Sequence, residues 1–262
     1  MQFDARKNTE GTRVARPVRA LVSDALRAGI ASGNLAPGMR LSERKLCAEL
    51  GVSRAIMREA VRQLESEELV SISPQSGTFV ASPTLSDALD IYEVRVELEG
   101  LAGRLAARLC DEAALTALDE ALDEIAHANA RGTVAQIVAA KTRFYECLVE
   151  AASNKVLRNS LQRLRNRILL YRGIALNEPT RAAAALSELR EIRAAIAAGD
   201  AARAEQMNRA HIAEAARSLT RVLCKKAGRS LTPVERARLD LLGAGDENRE
   251  TRAALDKQGA EK

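Results

Sequence analysis

Tryptophan is absent from the 262 residues, and only three tyrosines and three phenylalanines occur. Base-stacking platforms for single strands and aromatic sugar-stacking sites need such rings, so neither is expected. Histidine is scarcer still. His127 and His211 are the only two, too few for most metal enzymes built on several imidazoles. The four cysteines, at 47, 110, 147 and 224, contain no CxxC pair, which argues against a zinc knuckle or a redox motif. They read as packed thiols rather than as a disulfide framework. No apolar run approaches the roughly 18 residues of a membrane span, and the opening MQFDARKNTE has no apolar signal region. A cytoplasmic protein with no membrane partner is expected.

What is present suits a folded chain with a sizeable core: 47% of residues are apolar and 29% charged. The net charge of +5 permits a polyanionic partner without demanding one. Composition changes near Pro83. Before it lies a mixed region with a helix pair and an alternating hairpin; after it come long Ala/Leu/Arg/Glu segments of helical period. The expected organisation is a flexible arm over 1–15, a winged-helix domain over 16–82, an all-helical domain over 83–225 and a polar tail over 226–262. Thr232-Pro233-Val234-Glu235 predicts one short helix in that tail, since it combines a capping box with proline at the first helical position.

The first module is legible element by element. Pro17 opens a helix to about Ser32, with Val18, Leu21, Val22, Leu26 and Ile30 inward. Ser42 caps a short helix from Glu43 to Leu50, Gly51-Val52-Ser53 forms a three-residue turn, and Ser53 caps a second helix from Arg54 to about Glu67. Val70 and Ile72 alternate with serines, Pro74-Gln75-Ser76-Gly77 turns, and Phe79-Val80 returns. A hairpin behind a helix-turn-helix is a winged helix. On the second helix Arg54, Arg58 and Arg62 are spaced by four and share the face opposite Met57 and Val61. Arg54 sits at the helix N-terminus, where the dipole favours a phosphate, and arginine bonds a guanine edge or clamps a phosphate. Arg44 lies on the preceding helix, which crosses the backbone in this arrangement. Gly77 at the wing tip permits close approach to a minor groove. Residues 1–82 carry 12 Lys/Arg against 9 Asp/Glu, so the placement of the arginines carries the argument rather than their excess.

The stretch PGMRLSERKLCAELGVSRAIMREAVRQLESEELVSISPQSGTFV resembles the DNA-binding domain of the GntR family of bacterial transcription regulators. The likeness covers about residues 16–82 and rests on PG-x-x-L, L-x-x-x-x-G-V-S-R, R-E-A and G-T-F-V; Ile56 stands where many members have proline. It implies that Arg44, Arg54 and Arg58 contact an operator, with Gly77 in the minor groove. Residues 85–224 resemble the helical FCD effector domain of the FadR subgroup through IYEVRVELEGLAGRLAA, KTRFYECLVEAASN, ELREIRAAIAAGD and Met207…His211. That likeness implies a divalent metal held by one Asp and three His, binding a carboxylate effector. Here the pattern is broken. Lys141 stands at the Asp position, Tyr145 at the first His and Leu189 at the second, leaving His211 alone. One imidazole facing an ammonium cannot hold a transition metal, so no metal and no cofactor are expected.

Periodicity places Lys141 on a stripe with Ile137, Phe144 and Leu148, Leu189 with Ile192 and Ile196, and His211 with Met207 and Leu219. Lys141 either snorkels to solvent or supplies the positive charge of the lost metal to an anionic effector. His211 is either a satisfied core histidine or a ligand contact. Arg95, beside the stripe of Ile91, Leu98, Leu101 and Leu105, either reaches the effector or pairs with Glu99 at i+4. Tyr145 offers a hydroxyl, and Arg143 faces outward. The reading is a mainly α chain with an N-terminal winged helix-turn-helix domain and a C-terminal all-α bundle. It is expected to be no enzyme but a repressor, binding a palindromic double-stranded operator as a homodimer and answering a small carboxylate in a metal-free pocket. The alternative is the same regulator with a collapsed pocket, controlled by abundance or a protein partner.

Overall fold

The computed structural model describes residues 17–82, 84–175 and 179–243. The arm expected over 1–15 and the stretch beyond 243 lie outside the described residues. Two compact units are formed: residues 17–82 with 165–173, and residues 84–164 with 174–175 and 179–243.

In the first unit, α1 (Val18–Ala31) packs on α3 (Arg54–Ser66), and α2 (Glu43–Leu50) lies across α3. Both caps form as expected. Ser42 Oγ accepts from the Lys45 amide, and Ser53 Oγ from the Ile56 amide at 3.3 Å. Gly51 ends α2 in the left-handed region at φ +65°, a conformation that costs glycine nothing and reverses the chain towards α3. The hairpin of β2 (Val70–Ser73) and β3 (Gly77–Val80) acquires a third strand that the sequence reading did not foresee. This is β1 (Arg40–Leu41), antiparallel to β3 with Arg40 opposite Phe79. Val22, Leu26, Ile30, Leu41, Met57, Val61, Leu64, Leu69 and Val80 are buried together as the core. The expected alternation in β2 holds only in part: Val70 is buried, but Ile72 is exposed. Arg27 makes a bidentate pair to Glu67 at 2.8 and 2.6 Å, tying α1 to the end of α3.

The second unit is helical. The long pair α4 (Leu85–Leu109) and α9 (Ala201–Ala227) runs antiparallel, with Arg209 on Glu97 at one level and Glu205 on Arg104 at another. α5 (Glu112–Arg131), α6 (Val134–Ala151) and α8 (Pro179–Ala197) pack around this pair; α7 (Lys155–Ala175) lies between α6 and α8 in sequence, and its residues 165–173 belong to the first unit. Of the stripes expected inward, Phe144, Leu148, Leu189, Ile192, Ile196, His211 and Leu219 are buried, while Ile137, Lys141 and Met207 are half-buried. Gly100 and Gly103 let α4 and α9 close up: a Cβ on Gly103 would sit 2.6 Å from Asn208 Nδ2 and 2.7 Å from the Ala204 carbonyl oxygen. The helix expected at Thr232 forms as α10 (Pro233–Gly243), with the Thr232–Glu235 capping box in place. It lies against α9 and α4, with Leu239 and Leu242 buried.

Candidate DNA-binding surface and effector site

On the first unit, Arg44, Ser53, Arg54, Arg58 and Arg62 are all exposed. Burial of Met57, Ala60, Val61 and Leu64 turns the arginine row of α3 to solvent, because 3.6 residues per turn sets the two groups on opposite sides. Arg58 is lightly held by Glu43 at 3.9 Å; its side chain remains 70% exposed and free to turn towards a phosphate. Glu43 also accepts from the Thr78 hydroxyl at 3.2 Å, so one carboxylate joins the start of α2 to the wing. Gly77 takes φ +98°, and a Cβ there would lie 3.4 Å from the Arg40 guanidinium. Arg40 is thus an exposed cation laid across the wing, which sequence reasoning missed. Its signal was the PG-x-R-L turn, but only the β1–β3 pairing brings it to Gly77.

In the second unit, three of the five expected effector residues meet in the interior. Tyr145 Oη and His211 Nε2 are 2.7 Å apart, and His211 Nδ1 lies 2.5 Å from Glu188 Oε2. Glu188 in turn accepts two bonds from Arg181, at 2.8 and 2.9 Å. Arg95 stacks over Tyr92 at 4.9 Å from the ring centre and approaches the Tyr145 ring at 6.0 Å, while its guanidinium pairs with Glu99 at 2.7 Å. The i+4 pairing of Arg95 with Glu99, one of the two readings from sequence, is therefore made. Lys141 is half-buried one turn before Tyr145, and Leu189 is fully buried. Arg143 is exposed and pairs with Glu120 and Glu124 on the rim of an open groove of about 940 Å³ between α5 and α6, where His127 also lies.

Burial lowers the His211 pKa, and the neighbouring Glu188 carboxylate only partly opposes it. The imidazole is thus neutral, and the tautomer serving both neighbours donates from Nδ1 to Glu188 and accepts at Nε2 from the Tyr145 hydroxyl. Burial works to raise the Glu188 pKa, but bonds from His211 and Arg181 outweigh it and hold it below the usual carboxylate value. For Arg95, desolvation is more than offset by Glu99 and the two tyrosines, which keeps the guanidinium charged.

Glu188, Arg181 and Asn208 were missed. Glu188 adjoins Leu189, to which the family pattern drew attention, and no spacing rule assigns it to a histidine on another helix. Asn208 is fully buried on α9, one turn before His211, and neither of its amide atoms has a hydrogen-bond partner among the described residues; the same holds for Glu99 Oε2.

Comparison with known proteins agrees with both units. Residues 19–80 match the family described as bacterial regulatory proteins, gntR family, and residues 90–214 match the FCD domain. The chain is 35% identical over 164 residues to the HTH-type transcriptional regulator YdhC of Bacillus subtilis (strain 168), covering 62% of this chain and 73% of that protein. Over 209 residues it is 32% identical to a Paenarthrobacter nicotinovorans protein named "Probable D-xylose utilization operon transcriptional repressor", covering 79% and 89%. Among solved structures, a transcriptional regulator GntR from Rhodococcus sp. RHA1 matches with TM-score 0.67 at 26% identity over 77% of this chain and 97% of that one. E. coli McbR/YncC shares the fold, with TM-score 0.70 at 22% identity over 80% and 99%. The chain belongs to the GntR family of bacterial regulatory proteins: it is a DNA-binding transcription regulator with an FCD domain.

Proposed function

We propose that the protein represses transcription in the cytoplasm as a homodimer on a palindromic operator, and that a small effector in the helical unit changes its operator affinity. The carrying observation is the exposed row of Arg54, Arg58 and Arg62 on a capped helix, beside Arg44 and a wing tipped by Gly77. Ser53 fixes the start of that helix, so the N-terminal amides and Arg54 face a phosphate together. One recognition helix reads few base pairs, and two-fold pairing of half-sites multiplies its specificity. An effector that binds one arrangement of the dimer better than another shifts the population and hence the affinity.

The metal implied by the FCD family does not fit these residues. An ammonium, a phenol and an isobutyl group occupy three of the ligand positions, and both nitrogens of His211 are engaged by Tyr145 and Glu188. The effector reading therefore uses Arg95, Lys141, Tyr145, Leu189 and His211 without metal. Full burial of Leu189 and the Tyr145–His211 bond favour the second reading, a filled interior with control by abundance or a protein partner. Among the described residues, Glu99 Oε2 and the Asn208 amide stay unpaired in that closed interior.

Arg54→Ala and Arg58→Ala should each weaken operator binding in gel shifts, by about 1–3 kcal/mol where the side chain reads a base. Unchanged affinity in both would sink the assignment of α3 as the recognition helix.

A further inference from the structure

We propose that Arg40 is a specificity residue of the operator complex: its guanidinium, carried on the wing against Gly77, enters the minor groove and selects A·T pairs there. This rests on the reading of α3 and the wing as the operator surface. It adds a residue outside the arginine row of α3, at a position that the PG-x-x-L pattern leaves open.

Arg40 begins β1, an edge strand of the β1–β3–β2 sheet, and stands opposite Phe79 in antiparallel register. Leu41 beside it is buried, so strand alternation sends the Arg40 side chain to the outer face, where it is exposed. Gly77 precedes Phe79 by two residues on β3 and therefore shares that face, on the diagonal from Arg40. Glycine leaves the space above its backbone open, and the arginine fills it. A Cβ on Gly77 would stand 3.4 Å from both Nε and Nη2 of Arg40. The guanidinium is thus laid over the tip of the wing. No ion pair among the described residues claims it, whereas Arg58 has Glu43 at 3.9 Å.

A hairpin bare of side chain at Gly77 and edged by a planar cation suits the minor groove, about 6 Å wide in B-DNA. At A·T pairs the floor of that groove offers only acceptors, adenine N3 and thymine O2. A guanidinium carries donors alone and pairs with them; at a G·C pair the guanine N2 amino group sets a donor against a donor. Runs of A·T also narrow the groove and deepen its negative potential, which draws arginine in ahead of the more strongly hydrated lysine. In the proposed complex the α3 arginines read the major groove, so the two sets of contacts read different edges of the duplex. A phosphate contact from Arg40 would instead hold the duplex without reading it, and sequence dependence separates the two.

The test uses the full chain. The parent recovers duplexes from a pool of random sequence. Its Kd is then measured on a recovered duplex and on two versions with the A·T pairs beside each half-site changed to G·C or to I·C. Inosine lacks the guanine 2-amino group, so I·C keeps an A·T-like minor groove while presenting the major groove of G·C. The parent should lose about tenfold or more on the G·C version and regain it on the I·C version. Arg40→Ala should bind the recovered duplex about tenfold more weakly, keep the half-site preference and no longer distinguish the three duplexes. Arg40→Lys, which keeps the charge and carries the test if Arg40→Ala fails to fold, should recover affinity but not discrimination. A loss in Arg40→Ala that leaves the discrimination intact would make Arg40 a phosphate contact and overturn the groove reading. Unchanged affinity and discrimination would remove Arg40 from the interface. Equal loss by the parent on the G·C and I·C versions, or recovered duplexes without A·T pairs beside the half-sites, would also overturn the proposal. Arg54→Ala tests the underlying reading separately: if it keeps the half-site preference, α3 is not the recognition helix, and if the parent recovers no duplex above background, the operator surface itself is lost and Arg40 with it.

Discussion

The Tyr145–His211–Glu188–Arg181 chain joins α6, α9 and α8 through side chains alone. Its worth depends on His211 staying neutral. Because burial holds the folded pKa below the ordinary 6.5, the unfolded chain takes up a proton first as pH falls. The stability His211 lends is therefore complete above pH 6.5 and is lost as pH falls below it towards the folded pKa. Glu188, also depressed, adds to that loss below 4.5. The Tm should fall on acidification from pH 7.5 to 5.5, and His211→Gln should flatten that slope; equal slopes would show that His211 is not the group responsible. Tyr145→Phe removes one hydroxyl from a buried imidazole and should cost about 1–2 kcal/mol in denaturant melts. That Tyr145 and His211 are interior was legible from apolar stripes in the sequence. That they touch was not, because they stand 66 residues apart and a stripe names a face, never a partner.

At the scale of elements, α2, α3 and the hairpin form where caps and turns predicted them, α2 to the residue. These signals are local: a serine bonding an amide three residues on needs nothing from elsewhere in the chain. Ser53→Ala should lower stability by about 1 kcal/mol and weaken operator binding with it, since it loosens the start of α3. β1 escaped notice because two residues have no periodicity to read. The α4–α9 contact makes a sharper case. Gly103→Ala would gain about 0.5–1 kcal/mol of helix propensity, yet its Cβ would meet the Ala204 backbone oxygen at 2.7 Å, and overpacking of that kind costs about 1–3 kcal/mol. The clash wins, so the Tm of Gly103→Ala should fall; a rise would mean the helices separate easily. The C-terminal α10 combines both lessons. Its capping box is local and legible, and Arg229 helps hold Glu235 at a pKa of about 2. Its docking is not legible: Arg238 reaches Glu93 at 2.7 Å and Asp90 at 2.5 Å across some 145 residues.

For the whole molecule, the modest charge makes salt dependence informative. Operator affinity should fall steeply as salt rises, because each phosphate neutralised releases counterions and contributes about −0.9 to the slope of log K against log salt. Arg62→Ala should reduce that slope by about 1 on any sequence if Arg62 holds a phosphate, whereas loss of a base-reading arginine should relax sequence preference instead. A slope near zero would argue that the exposed arginines are a solvated face. Sedimentation at micromolar concentration reads the expected homodimer directly; a monomer in the presence of operator would remove the basis for a palindromic site.

The sequence by itself determined the helices and hairpin of the small unit and the family, because caps, tight turns and a four-residue arginine spacing act within a few residues of chain. Its likeness to the FCD domain also implies a ligand pattern broken at Lys141, Tyr145 and Leu189. Only the tertiary structure decided what the interior does instead. It gave Arg95 to Glu99, set His211 between Tyr145 and Glu188, and laid the Asn208 amide against Gly103. Helical periodicity fixes which face a side chain occupies, but the partner it meets there depends on how distant helices pack.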